Sequence, residues 1–260
     1  MTDETVRAAV GGDARALRTI IDALAPGFHA LALRMLGSHA DADDATQEAL
    51  LRVTTRLSTF EGRAHLRTWA YRLAVRSILD FKRGIARHAA LRFEDFRLDL
   101  ADGLEADAAT PEDAVLLQQL KMGCGRALLQ CLDGDLRVAY VLGEILAIEG
   151  PDAAEILEIS PATYRKRLSR ARARLQDALM AQCGIANASA SCRCRRRASR
   201  AIELGRLAPA DRAGDLDVAK VTRLVRALPV LDRAAAYYQA DPRPGPGRAL
   251  LASVHAALGV

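Results

Sequence analysis

The stretch DAAEILEISPATYRKRLSRARARLQDAL, residues 152–179, constrains this chain more than any other. Its first half places Ala153, Ala154, Ile156 and Leu157 at helical spacing. Ile159 ends that run and Ser160-Pro161 restarts the chain, because a serine hydroxyl caps a helix N-terminus and proline suits the first helical position. On the helix that follows, at about 100° per residue, Tyr164, Leu168, Ala171 and Leu175 fall in one narrow stripe that must be buried. Lys166, Ser169 and Arg170 lie opposite, flanked by Arg165, Arg167, Arg172 and Arg174. A helix, a brief turn and a second helix carrying cations is the plan of a helix-turn-helix, whose second helix enters the major groove. Guanidinium forks suit phosphates and guanine edges there. A solvated basic helix in a bundle would show the same spacing, so the pattern alone leaves both readings open.

Elsewhere strand signals are scarce and the apolar spacing is helical almost throughout, which predicts an all-α fold. At 260 residues there is room for two small domains and a third segment, taking about 100 to 200 residues per domain. Lys and Arg number 37 against 32 Asp and Glu, a formal charge of +5 that matters through its clustering. Residues 13–36 read as helical with Leu17, Ile20, Ile21 and Leu24 inward. Pro26-Gly27 is expected to break the run, leaving Phe28, Leu31, Met35 and Leu36 to a second helix that Gly37-Ser38 closes. Residues 41–57 open with carboxylates at the positive end of a helix dipole, and Asp44, Gln47, Glu48 and Leu51 share one face. A capped, solvated helix would account for that pattern. In residues 60–83, Leu66, Trp69, Leu73 and Ser77 or Ile78 trace an inner stripe, while Arg63, Arg67, Arg72, Arg76, Lys82 and Arg83 lie outside. Rings interleaved with cations suit single-strand capture, since bases stack on rings while guanidinium groups follow the backbone; Trp69 is also partly core.

Residues 88–111 are acidic and punctuated, and read as a linker or solvated tether. Two helices over 112–132 and 137–148 are expected to bury Leu116, Leu120, Leu128, Val138, Leu142 and Ile145. Cys124 and Cys131, seven residues apart on that first helix, read as inert buried thiols. Residues 183–197, CGIANASASCRCRRR, bring three thiols into a loop beside an arginine run. Cys183, Cys192 and Cys194 are candidate ligands for zinc or cuprous ion, or redox-active thiols. A closed zinc site wants four ligands, and the sequence does not reveal the fourth. Two more helices, over 215–238 and 247–258, flank the hinge DPRPGPG and serve as a regulatory module or a stabilising appendage. No apolar run approaches the roughly 18 residues of a membrane span, and the N-terminus lacks a signal-peptide core. The odd number of cysteines argues against a disulfide framework. Together these predict a cytoplasmic protein without membrane insertion. No nucleophile and base pair, phosphate loop or paired histidine motif supports an enzyme.

EILEISPATYRKRLSRARARL closely resembles the DNA-binding helices of region 4 in bacterial RNA polymerase sigma factors, particularly the small extracytoplasmic-function (group IV) class. The recognition helix of that class runs S-x-x-T-x-x-x-R-L-x-R-A-R, positions filled here by Ser160, Thr163, Arg167, Leu168, Arg170, Ala171 and Arg172. Residues 60–74 are similar to the region 2 pattern F-x-G-x-x-x-x-R-T-W-x-Y-R-x-A. The resemblance implies two small helical domains joined by the acidic linker: region 2 over 1–87, linker over 88–111, region 4 over 112–182, and a Cys-containing helical extension over 183–260. It implies contacts to the -35 element from Thr163, Arg165, Lys166, Ser169 and Arg170. It implies recognition and opening of the -10 element by Phe60, Arg63, His65, Arg67, Trp69, Arg72 and Arg76, with residues 60–65 forming a pocket for an extruded base; family members often carry Asn where this chain has Arg76. Asp41, Asp44, Gln47, Glu48 and Leu51 are the implied surface for the clamp helices of the polymerase largest subunit, acid meeting base. The linker is expected to thread the polymerase near the RNA exit path. Implied partners are core RNA polymerase and promoter DNA, with room for an anti-sigma factor, and no cofactor is required. A free-standing helix-turn-helix regulator is the alternative; it would bind a palindromic duplex as a dimer and leave the region 2 motif without a use.

Overall fold

Asp13 starts a 23-residue helix by accepting hydrogen bonds from the Arg15 and Ala16 amides at 2.8 and 3.1 Å. Gly37, at φ 81°, ends it in the left-handed conformation that glycine adopts without strain. The structure is a computed structural model that describes residues 3–85, 91–102, 114–204 and 246–260. In chain order its helices are α1 Asp3–Val10, α2 Ala14–Leu36, α3 His39–Thr55, α4 Leu66–Gly84, α5 Phe93–Ala101, α6 Ala114–Gln130, α7 Gly134–Tyr140, α8 Gly150–Ile156, α9 Pro161–Gln182, α10 Cys194–Glu203 and α11 Arg248–Leu258. Among the described residues β pairing is confined to one isolated bridge, Cys183 to Cys192. The helix read over 215–238 and most of the hinge before α11 lie outside the described residues.

The predicted break at Pro26-Gly27 does not occur, and α2 runs through both residues. Proline removes one backbone donor and crowds the preceding turn, at a cost of about 3 kcal/mol in an isolated helix. Here Ile20, Ile21, Leu24, Phe28, Leu31 and Met35 are all buried, and that much apolar surface, at up to about 3 kcal/mol per large side chain, outweighs the defect.

The chain divides into two compact units. The first draws on Met1–Ala89, Val141–Arg167 and Arg243–Val260. In it α2, α3 and α4 pack on one another around α2, and α8 packs on α4. The predicted inner stripe of α4 is buried at Leu66, Leu73, Ser77 and Ile78. Its C-terminal helix α11 lies on α2 and α3, burying Leu250 and Val254 and setting His255 Nε2 3.2 Å from Asp22 Oδ1. The second unit draws on Ala90–Tyr140 and Leu168–Pro242. In it α10 packs on α6, with Ala198 and Ala201 against Leu117 and Leu120. Arg137 is buried beneath the end of α6, where it donates to the Gln130 and Leu132 carbonyls at 2.5 and 2.9 Å. A cation there satisfies carbonyls that the helix leaves without partners. Burial pulls the Arg137 guanidinium down to about 10.

The acidic stretch expected to be a tether carries helix α5. Its carboxylates hold the arginine run of the tail: Arg197 donates to Asp99 Oδ2 and to the Asp102 carbonyl, both at 2.7 Å, and Arg200 Nε reaches Asp102 Oδ2 at 2.9 Å. Arg197 is itself buried. The acidic segment that reads as a solvated tether thus helps neutralise the arginine run of the tail, some 98 residues away along the chain.

Candidate functional site

The turn of the helix-turn-helix is built from local hydrogen bonds. At the end of α8 the Ile159 amide donates to the Ala154 carbonyl and the Glu158 amide to the Glu155 carbonyl, both at 3.1 Å. This is the paired closure of a Schellman ending. Its left-handed position is held by Glu158 at φ 53° rather than by glycine. Ser160 then caps α9 as the sequence predicts, its hydroxyl accepting from the Thr163 amide at 3.1 Å and lying 2.9 Å from the Thr163 hydroxyl.

Along α9 the buried stripe holds Tyr164, Ala171 and Leu175, with Leu168 half-buried. Thr163, Arg165, Lys166, Ser169 and Arg170 are all exposed, as are Arg172 and Arg174, whereas Arg167 is half-buried. Arg174 is partly spent on Asp133, 2.6 Å away. A helix that buries one narrow edge and projects this many cations from the rest can follow a phosphate backbone with some side chains and offer donors to base edges with others.

The second predicted surface lies on α4 and the loop before it. Arg63, His65 and Arg67 are exposed. Phe60 and Trp69 are half-buried, with ring centroids 5.5 Å apart at 57°, so the loop aromatic leans on the helix aromatic and leaves part of each ring uncovered. Arg67 stands 5.5 Å from the Tyr71 ring centroid, a cation on a π face. Arg63 pairs with Glu61 at 2.7 Å. The remaining two predicted residues are engaged within the same unit: Arg72 donates to Glu155 Oε1 at 2.8 Å, and Arg76 donates to Glu158. The Glu155 and Glu158 carboxylates are not visible as partners in the sequence, because 83 residues separate Arg72 from Glu155. The usable signal is weak, namely two acids three residues apart, one in the last turn of α8 and one just past its end, ahead of a helix rich in arginine.

The third predicted surface, on α3, divides. Asp44 is exposed, and Gln47, Glu48 and Leu51 are half-buried beside it on one face. Asp41 is instead buried, in the first turn of α3 behind the Ser38 cap, whose hydroxyl accepts from the Asp41 amide at 3.3 Å. Glu48 is braced by Arg52 at 3.1 Å and by the Ser77 hydroxyl at 3.3 Å, and Arg52 reaches on to Asp80 of α4 at 3.3 Å. Among the described residues Asp44 is the exposed acid of this face, with Glu48 held in place beside it.

The tail thiols Cys183, Cys192 and Cys194 are half-buried and unoxidised, as is Cys124, while Cys131 is buried. Burial pushes the Cys194 thiol up to about 11 and also raises Cys192.

Comparison with known proteins agrees with this geometry. The family model Sigma-70 region 2 matches residues 20–88, and Sigma-70, region 4 matches residues 124–175. The ECF RNA polymerase sigma factor SigW of Bacillus subtilis is 28% identical over 185 residues, covering 69% of this chain and 97% of that protein. The ECF RNA polymerase sigma-E factor of Escherichia coli K12 is 27% identical over 167 residues, covering 62% of this chain and 85% of that protein. The solved structure of CnrH in complex with the cytosolic domain of CnrY shares the fold, with a TM-score of 0.50 at 22% identity, covering 67% of this chain and 94% of that one. With the two sigma-70 regions matched in order and relatives spanned over nearly their whole length, the chain is an RNA polymerase sigma factor of the extracytoplasmic-function class.

Proposed function

We propose that this sigma factor works as the promoter-specificity subunit of RNA polymerase, with three surfaces dividing the task. The α3 face of Asp44, Gln47, Glu48 and Leu51 docks on core polymerase. The Phe60–Trp69 pair with Arg63, His65 and Arg67 captures the opened -10 strand, joined by Arg72 and Arg76. Thr163, Arg165, Lys166, Ser169 and Arg170 on α9 contact the -35 element. Catalysis belongs to the polymerase, no cofactor takes part in promoter reading, and the protein acts in the cytoplasm. The observation that carries this reading is the exposed basic face of α9 inside a matched region 4 that follows a matched region 2.

The test adds purified chain to core polymerase and measures promoter-dependent transcription. Transcripts that require both the chain and an intact -35/-10 pair are expected. Charge reversal at Asp44 and Glu48 should weaken association with core polymerase at unchanged helix content. Duplex binding by the chain alone, with no transcripts when polymerase is supplied, would refute the reading.

A further inference from the structure

The docking face of α3 has a neighbour that promoter reading does not use. Only Gly37 and Ser38 join α2 to α3, and so short a connection makes the two helices antiparallel neighbours. Their register is set by His29 of α2, whose Nε2 lies 3.0 Å from Asp43 Oδ1 of α3. Asp22 stands seven residues before His29, about two turns back along the same face of α2. On the antiparallel partner, about two turns from Asp43 in the matching direction reach Leu50. The row of α3 that borders this part of α2 is therefore Asp43, Gln47, Leu50 and Thr54. The opposite edge of α3 belongs to α4, where Ser77 and Asp80 hold Glu48 and Arg52.

That row is where α11 lies. It packs on α2 and α3, and its His255 Nε2 comes 3.2 Å from Asp22 Oδ1. Leu250 and Val254 are buried, and Leu251, His255 and Leu258 are half-buried. Those five positions form one stripe at helical spacing, the seam of an amphipathic helix laid into a groove. On the α3 side Leu50 is wholly buried, and Gln47 and Thr54 are half-buried. Arg248 and His255 give α11 a basic character, and it contains no acid, so it suits the acidic helix it borders. At 11 residues it is shorter than the roughly 12 to 15 that an isolated helix needs in water, and its helicity depends on this contact.

We infer that the flank of α3 formed by Gln47, Leu50 and Thr54, with Asp22 of α2, is a receptor for an apolar helix free of acids, that α11 fills it in the unbound chain, and that core polymerase displaces α11 when it docks. The inference rests on the docking role proposed for Asp44, Gln47, Glu48 and Leu51. Gln47 belongs to both surfaces, four residues after Asp43 and four before Leu51. A seat centred on Gln47 and Leu51 and one centred on Gln47 and Leu50 lie about 50° apart around α3. With axes packed at about 9 to 10 Å from α3, helices in the two seats would be roughly 8 Å from each other, less than the about 10 Å that a helix with its side chains occupies. Both seats cannot be filled at once. Because α11 belongs to the same chain, its competition with polymerase does not fade on dilution.

The test uses the full chain and core polymerase, with hydrogen exchange read by mass spectrometry. Amides of residues 250–258 should be protected in the free chain and exchange roughly tenfold faster or more once polymerase is bound; this readout needs no variant. Val254→Asp sets a carboxylate at a fully buried position. It should unseat α11 and tighten polymerase binding by roughly threefold or more, while the amides of α2 and α3 stay protected. Ala252→Asp, on the exposed side of the same helix, should leave the affinity unchanged. Protection of residues 250–258 that persists in the complex overturns the inference, and so does a folded Val254→Asp chain that binds polymerase no more tightly; either result leaves the docking role of α3 standing. A wild-type chain that binds no polymerase overturns the docking role and this inference together.

Discussion

Gly27 lies where the Tyr71 hydroxyl of α4 reaches α2: a Cβ built on it would fall 1.9 Å from that oxygen and 3.1 Å from the ring carbon that bears it. The glycine is there for the close approach of two helices, and the ring that fills the space also meets Phe28 edge to face at 5.2 Å. Gly27→Ala should destabilise the fold by about 1 to 3 kcal/mol, the usual cost of overpacking a filled core. Adding Tyr71→Phe removes the offending oxygen and should recover part of that loss. Chemical denaturation of the two single variants and the pair checks this as a double-mutant cycle; strict additivity would show that the hydroxyl is not the obstacle. At this scale the sequence was half legible. Pro26-Gly27 announced something unusual, yet without Tyr71 in view the pair reads as a break, since the local cost of proline is visible and the packing that outweighs it is not.

The element that joins stability to function is the turn between α8 and α9. Glu158 occupies a left-handed position that strains a residue with a Cβ, by about 1 kcal/mol or a little more, and its carboxylate engages Arg76 while Glu155 engages Arg72. Both pairs are partly exposed, so their direct contribution to stability is about 0 to 1 kcal/mol each. Glu158→Gly should therefore cost little stability or even add some, by relaxing the backbone, and should free Arg76. Combined with Glu155→Gln, it should raise the affinity of the chain for a single-stranded -10 oligonucleotide several-fold at low salt, read by fluorescence anisotropy. Unchanged affinity would mean that the Glu155 and Glu158 carboxylates do not compete with the strand. The α9 stripe and the Ser160 cap were legible beforehand because both are local. The ion pairs of Glu155 and Glu158 were not, because an ion pair between distant segments leaves no periodic trace.

For the whole chain the governing quantity is how its modest excess of +5 is distributed. The arginine run of the tail is partly neutralised by Asp99 and Asp102, and Arg72 and Arg76 by Glu155 and Glu158. The α9 cluster keeps most of its cations exposed. Promoter binding by the holoenzyme should accordingly lose salt dependence when α9 is depleted: Arg165→Ala with Lys166→Ala should weaken binding and reduce the slope of log affinity against log salt by roughly 1 to 2. An unchanged slope would remove these residues from the interface. By itself the sequence determined the all-helical class, the stripes that each helix buries, the Ser160 cap and the order of the two sigma motifs. Each of these rests on spacing within one segment, and spacing survives in a linear string. Only the tertiary structure decided that α2 passes through Pro26, that Asp41 is buried while Asp44 stays exposed, and that Arg72 and Arg76 are engaged. Those outcomes depend on which distant side chains meet, and a meeting of that kind is settled by packing and charge in three dimensions.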